Sequence, residues 1–334
     1  MPRITISDVA SAAGVSIATA SKALNGTASI APDTVRRVQR AAQQLGYKPN
    51  RAAQLLAGKN KHIGILMPAE PEAVFALFGA GFSEALASYG EYGFRTTLVR
   101  YDPTSMPESF LEGLAKLRDV QGLIFIGESS APPVYDALRA MQIPKVSLQV
   151  AADAALCPSV TVDERGTGRI AAEFLSLTCK RAAVIVGDGS ITLHRRNVEG
   201  FREEAARHQL TVTDVLESFD RFDTARALTF RLMETSRPDG IFVSSYVAPA
   251  VCAALAEQKL AGSVRVIGVD VWEQSAACLA DGSLTAAICQ NQPMQAMRAV
   301  ELLISMMRGD APAGASGAVI KPELVLPCTA EYYI

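Results

Sequence analysis

From Ile63 onward the chain repeats one pattern, a short apolar run followed by a longer amphipathic stretch. The runs HIGILMP, FRTTLVR, GLIFIG, KVSLQV, SVTVD, AAVIVGD, GIFVSS, VRVIGVD and TAAICQ read as buried strands. GFSEALASYGEYG, ESFLEGLAKLRD, VYDALRAM, GTGRIAAEFLSLT, RNVEGFREEAARHQ, TARALTFRLMET, VCAALAEQ and QAMRAVELLISMMRG read as the helices between them. Such alternation predicts an α/β body of doubly wound parallel sheets, whose ligands bind beyond the carboxyl ends of the strands.

The first 62 residues follow a different rule. They hold nine Lys/Arg against two acids, Asp8 and Asp33, a balance of +7, while the remainder carries 23 basic and 32 acidic residues, a balance of −9. That asymmetry predicts a basic module for a polyanion joined to an acidic body. At 334 residues, 49% hydrophobic and 20% charged, the chain is too long for one ordinary domain and too apolar for disorder. No stretch reaches the ~18 uninterrupted apolar residues of a membrane span, and MPRITISDVAS lacks the apolar core of a secretory signal. Six scattered cysteines without a Cys-x-x-Cys pair predict reduced thiols in a cytoplasmic protein with no structural zinc.

Within the basic segment, Thr5-Ile6-Ser7-Asp8 has the form of a capping box and predicts a helix start. Gly14 can end that helix and Ser16 can cap a second one reaching about Asn25. Pro32 opens a third helix, with Val35, Val38, Ala42 and Leu45 at helical spacing and Gly46 as its stop. Ala10, Val15, Ala20 and Leu24 are small or apolar enough for a close crossing. Three short helices with this charge describe an all-α helix-turn-helix head whose second helix enters a DNA major groove.

TISDVASAAGVS-IATASKALNG, followed by APDTVRRVQRAAQQLGYKPNRAAQLLAGKNKHIGIL, resembles the head and hinge of the lactose-repressor (LacI) family. SVTVDERGTGRIAAEFL, RNVEGFREEA, RVIGVD and LTAAICQNQ extend the resemblance through the body. It implies a helix-turn-helix domain at 1–48, a hinge helix and linker at 49–62, and an effector-binding and dimerisation domain at 63–334. The implied body fold is the type I periplasmic-binding-protein-like pair of lobes, with the first at about 63–162 plus 293–320 and the second at about 163–292 plus 321–334. The chain would cross between lobes near Asp163, Gln292 and Lys321, with Pro293 and Pro322 at two of these points. The implied activity is that of a ligand-responsive repressor, a homodimer on a near-palindromic double-stranded DNA operator. The alternative is a sugar-binding receptor or enzyme that shares the body fold.

On DNA, the resemblance implies that Ile17, Ala18 and Lys22 read bases, with Ser16, Thr19, Ser21, Asn25, Tyr47 and Asn50 on phosphates. Lys22 can donate to guanine, whereas Ile17 and Ala18 offer only apolar contact, suited to a thymine methyl; alternatively Ile17 packs against the head. Arg51 adds charge for non-specific contact. Asn50 to Gly58 reads as a capped helix of about two turns, too short to be stable alone. In the family the leucine matching Leu56 wedges between base pairs in the minor groove; alternatively Leu55 and Leu56 only pair the hinges of two subunits.

In the body, the resemblance implies an effector site at Asp270 and Gln290, each ending a strand. An ionised carboxylate accepts two hydrogen bonds in a plane, which fits vicinal sugar hydroxyls. Trp272 could stack on a sugar face from one lobe and Phe75 from the other, unless Trp272 is a dimer or core aromatic and Phe75 plain core. Two departures from the family pattern stand out: Asn197 occupies the place of a ligand-holding arginine, preceded by Arg195 and Arg196, and Ser245-Tyr246 replaces Asn-Asp. His194-Arg195-Arg196 could meet a carboxylate or phosphate, which leaves sugars, sugar acids and phosphosugars open. Val186-Gly187-Asp188-Gly189-Ser190 lacks the Lys-Ser/Thr of a phosphate loop, and His62, His194 and His208 show no metal-ligand spacing. A Ser190/His194/Asp188 triad lacks a nucleophile elbow. No catalytic residue, metal or cofactor is expected, and no membrane partner.

Overall fold

The computed structural model describes residues 4–24, 30–45, 47, 61–90, 93–127, 129–310 and 317–333. Three helices form the head: α1 (Ile6–Ala12), α2 (Ile17–Leu24) and α3 (Pro32–Gln44). The Asp8 carboxylate accepts the Thr5 N–H and the Thr5 hydroxyl, both at 2.7 Å. These bonds, the backbone one first, hold its carboxyl below the usual range. The capping box of Thr5 and Asp8 thus forms at the start of α1. Gly14 takes φ +62, and Ser16 Oγ accepts the Thr19 N–H at 3.0 Å, so the turn and the second cap both form. Val9, Ala10, Ala13, Ala20, Ala23, Val38 and Ala41 make the head's core, with Val15, Val35, Leu45 and Tyr47 packed around it. Small residues dominate it because three short helices must cross closely to bury anything.

The first lobe is built on β1 (His62–Pro68), β2 (Arg95–Tyr101), β3 (Gly122–Phe125), β4 (Lys145–Leu148) and β5 (Ser159–Val162). Its helices are α4 (Glu72–Ser88), α5 (Glu108–Ala115) and α6 (Pro132–Ala140). The second lobe holds α7 (Glu164–Ser176), β6 (Arg181–Val186), α8 (Thr192–Arg207), β7 (Thr211–Glu217), α9 (Phe222–Glu234), β8 (Gly240–Val243) and α10 (Ala248–Glu257). It continues through β9 (Arg265–Val269), α11 (Glu273–Ala280) and β10 (Ala286–Cys289). Then α12 (Gln292–Arg308) returns to the first lobe, β11 (Ala318–Ile320) joins its sheet, and β12 (Glu323–Val325) joins the other. The sheet orders are β11-β5-β4-β3-β1-β2 and β12-β10-β9-β8-β6-β7, parallel throughout except for β12 against β10.

Each strand feeds two cores, because successive side chains leave opposite faces of a sheet. In β1 and β3, Ile63, Ile65 and Ile124 face α4 and α12, meeting Phe78, Phe82, Ala299 and Leu303. Leu66, Leu123 and Phe125 face the other way, toward Phe110, Leu114 and Leu138 of α5 and α6. In the second lobe, Ile185, Ile241 and Val243 meet α9, α10 and α11, while Val184 and Phe242 meet α7 and α8. Burying each large side chain stabilises by about 1.5–3 kcal/mol, enough to explain why these runs carry almost no polar residue.

Four elements escaped the sequence pattern; β11 and β12, of three residues each, are too short to form an apolar run. β7 is an edge strand of mostly half-buried residues, with Asp214 in its middle, so it shows no apolar run. α11 has only eight residues and its small alanines give little periodicity. In addition α4 begins at Glu72, nine residues before the expected Gly81.

Where α7 crosses α8, glycine is required by distance. A Cβ on Gly168 would overlap the Asn197 carbonyl oxygen, and one on Gly200 would overlap the Arg165 carbonyl. The glycines of GTGR and VEGF therefore serve helix contact in this lobe. Arg165 pairs with Glu203 and Arg169 lies 3.6 Å from Asp163 at the rim of the same crossing.

Candidate functional site

Two surfaces bring functional side chains together. On the head, α2 exposes Ile17, Ala18 and Lys22 along one side, with Ser16 at its start and Thr19 and Ser21 half-buried beside them. Ile17 is 52% exposed on the surface of α2. An isoleucine on a short helix surface gains nothing from water, which suits it to contact with a partner. Tyr47 is half-buried against the head core. Asn25, Asn50, Arg51 and Leu56, and with them the expected hinge helix, lie outside the described residues.

In the body, side chains converge at the carboxyl ends of β6 to β10. After β7, Phe219 and Asp220 take successive left-handed conformations, φ 53 and 58. The corner turns the Asp220 carboxylate inward and leaves the Phe219 ring 57% exposed. Ser245 Oγ donates to Asp220 Oδ1 at 2.7 Å, and the Tyr246 hydroxyl donates to the Asp220 carbonyl at 2.8 Å. His194 places Nε2 3.6 Å from Asp220 Oδ2 and Nδ1 3.2 Å from the Ser244 carbonyl. Burial alone would raise the Asp220 carboxyl, but the hydrogen bond and charge of His194, with the Ser245 bond, hold it below its usual value. Gly187 permits this approach, since a Cβ there would overlap both Asp220 and His194. Burial pushes the Tyr246 phenol well up, with the carboxylates of Asp220 and Glu70 adding to it. Glu70 follows β1, so the two lobes face one another here.

Asp270, directly after β9, is 4% exposed and also left-handed, φ 63. It accepts the Gln290 N–H at 3.2 Å. Burial pushes its carboxyl up to about 6, only partly offset by the Gln292 side chain and the Gln290 N–H. The Gln290 carbonyl receives Gln295 Nε2 at 2.8 Å, which ties the strand end to α12 at an interlobe crossing. Trp272 is buried, 6% exposed, and its backbone N–H donates to Ser275 Oγ at 2.9 Å. Its indole Nε1 has no hydrogen-bond partner among the described residues. It therefore offers a ligand no open ring face, whereas Phe219, beside Asp220, is exposed. Phe75 is half-buried and stacks on Phe78 at 6.3 Å, which makes it partly a core residue.

The arginines expected near an anion are used within the chain. Arg195 donates to the Ser190 carbonyl and to Thr192 Oγ1. Arg196 lies 3.5 Å from buried Glu164 of α7. Asn197, on α8, is fully buried, with both side-chain amide atoms lacking a hydrogen-bond partner among the described residues. His194 thus faces a carboxylate, and both guanidiniums have partners within the chain. Asp220, Phe219 and Glu70 escaped sequence reasoning. The available signal was an Asp soon after a strand end, hidden because that strand was itself unrecognised.

A basic three-helix head and a two-lobe body with polar groups at its strand ends define a DNA-binding regulator with a ligand-binding core. The periplasmic binding protein domain matches residues 63–311, and the bacterial regulatory proteins, lacI family, match residues 5–50. The HTH-type transcriptional regulator DegA of Bacillus subtilis (strain 168) is 28% identical over 281 residues, 80% of this chain and 82% of DegA. The ribose operon repressor of Halalkalibacterium halodurans is 29% identical over 274 residues, 80% of each chain. In fold, the chain resembles the lac repressor dimer bound to operator and the anti-inducer ONPF, at TM-score 0.66 and 23% identity, covering 98% of this chain and 99% of that one. The chain belongs to the lacI family of bacterial regulatory proteins. Among the described residues no helix is long and apolar enough to cross a membrane.

Proposed function

We propose that the protein is a sequence-specific transcriptional repressor that binds a near-palindromic operator as a homodimer. A neutral polyhydroxylated molecule, a sugar foremost, would change its grip on DNA by binding between the lobes. The observation that carries the ligand class is the cleft's chemistry: the Asp270 and Asp220 carboxylates, the Ser245 and Tyr246 hydroxyls and exposed Phe219, with Arg195 and Arg196 engaged elsewhere. Carboxylates repel sugar acids and phosphosugars but accept hydroxyls, which favours the neutral sugar. The regulatory reading, in place of a receptor or an enzyme, rests on the basic head and on curated relatives that are regulators. A cytoplasmic location follows from the DNA partner.

A thermal-shift series over neutral sugars, sugar acids and phosphosugars tests the ligand class, and operator binding with and without each hit separates inducer from co-repressor. Stabilisation by phosphosugars alone overturns the neutral class. A single recognition helix buries too little for tight specific binding, so sedimentation at micromolar concentration is expected to give the mass of two chains. A mass near four chains contradicts this. For the hinge, Leu56→Ala is expected to weaken operator binding about tenfold or more and to straighten the complex, while non-specific binding changes little. A wild-type bend angle in the saturated mutant complex defeats the wedge.

A further inference from the structure

The six cysteines are not equivalent. Cys157, Cys179 and Cys289 are buried, and burial pushes each thiol up, to about 11 for Cys157 and about 12 for Cys289. Cys328 is exposed. Cys252 and Cys278 differ in being a pair. Cys252, on α10, donates from Sγ to the Ser283 carbonyl at 3.4 Å, and Ser283 Oγ donates to the Cys278 carbonyl at 3.4 Å. The same loop closes on α11 through Leu284 N–H to the Cys278 carbonyl at 2.9 Å. One serine thus bridges the two helices beside both cysteines, which belong to one apolar cluster, Cys252 within it and Cys278 packed against it. Cys252 is buried and Cys278 is half-exposed, so one sulfur is reachable and the other waits behind it.

We propose that Cys252 and Cys278 form a reversible disulfide that fastens α10 to α11 on exposure to a hydroperoxide. The neighbouring Cys252 side chain holds Cys278 down to about 7, whereas Cys278 and burial push Cys252 up. Cys278 therefore supplies the thiolate, the nucleophilic form of a cysteine. Its sulfur attacks one peroxide oxygen. The S–O bond forms, the O–O bond breaks, and the departing oxide takes a proton, leaving a sulfenic acid on Cys278. Cys252 sulfur then attacks Cys278 sulfur, and the hydroxide displaced takes the Cys252 proton to leave as water. Two thiols lose two electrons and one hydrogen peroxide becomes two waters. Attack requires that the two sulfurs, on helices joined through the same serine, close to a bond of ~2.05 Å. A low-molecular-weight thiol reverses the step by exchange. Because α11 starts beside Trp272, and Ser275 Oγ donates to the Asp270 carbonyl at 3.1 Å, the link stiffens one wall of the cleft.

The test uses the full-length protein and hydrogen peroxide near stoichiometry, followed by alkylation and peptide mapping. The expected result is a 252–278 crosslinked peptide that disappears with dithiothreitol, in a chain that keeps its single-chain mobility on a non-reducing gel. Amide exchange in α11 is expected to slow several-fold on oxidation. In Cys252→Ser, oxidation is expected to stop at a sulfenic acid on Cys278 that dimedone traps, which wild type does not accumulate. The proposal is overturned by a crosslink between subunits, by dimedone trapping at Cys278 in wild type, or by unchanged exchange in α11.

Discussion

Asp270→Asn is expected to make the protein more stable and a poorer ligand binder at the same time. In the folded chain burial raises the Asp270 carboxyl to about 6 from its ordinary 3.8. A raised carboxyl favours folding fully only below 3.8, and that advantage is lost as pH rises through 6. Above pH 6 the folded state carries a buried charge at a cost of about 3 kcal/mol. Asparagine keeps an acceptor for the Gln290 N–H without the charge. The variant's thermal midpoint at pH 8 is therefore expected to exceed wild type by several degrees, and the two curves should converge near pH 4. Effector affinity should fall about tenfold to a hundredfold, because charged hydrogen bonds of ~1.5–3 kcal/mol are lost. Calorimetric affinity and melting across pH read both effects. Equal melting at pH 8 refutes the buried charge, and unchanged affinity refutes the ligand role.

Gly168→Val is expected to destabilise the second lobe by roughly 3 kcal/mol or more, as overpacking forces α7 away from α8. The obstacle on the far side is the Asn197 carbonyl, which is backbone and cannot rotate aside. Chemical denaturation of the full chain measures the loss. Gly262→Ala, at a turn with open space around it but φ +75, is the control and should cost distinctly less, since only its conformation is strained. Equal losses would mean that α7 and α8 do not meet as closely as drawn.

Legibility in the sequence followed burial. Strands buried on both faces, such as VRVIGVD, announce themselves because every residue must be apolar, and the residue that ends them is then placed at a cleft. The pattern marked Asp270 and Gln290 as strand ends, and the resemblance to the lacI family implied their effector role. Edge strand β7 needs no such run, so Asp220 behind it went unseen. Arg195 and Arg196 were legible as charges but not as used charges. Their partners include Glu164 on the neighbouring helix, a pairing that only the crossing of α7 and α8 creates. Trp272 was singled out as the one tryptophan, yet its place at the start of α11 turns the ring inward.

The return of α12 to the first lobe sets the order in which the molecule can be made. Ala296, Ala299, Val300, Leu303 and Ile304 complete a core whose other half, from Ile63 to Val160, is synthesised much earlier. The second sheet is likewise unfinished until Glu323–Val325. Emerging from the ribosome, the chain first presents a head with all its contacts local, then an unfinished lobe with an open apolar face, then a second. Chaperone demand should accordingly peak while residues 63–290 are outside and α12 is not. A nascent chain stalled before Gln292 should bind holdases strongly, whereas one stalled past Val325 should have released them.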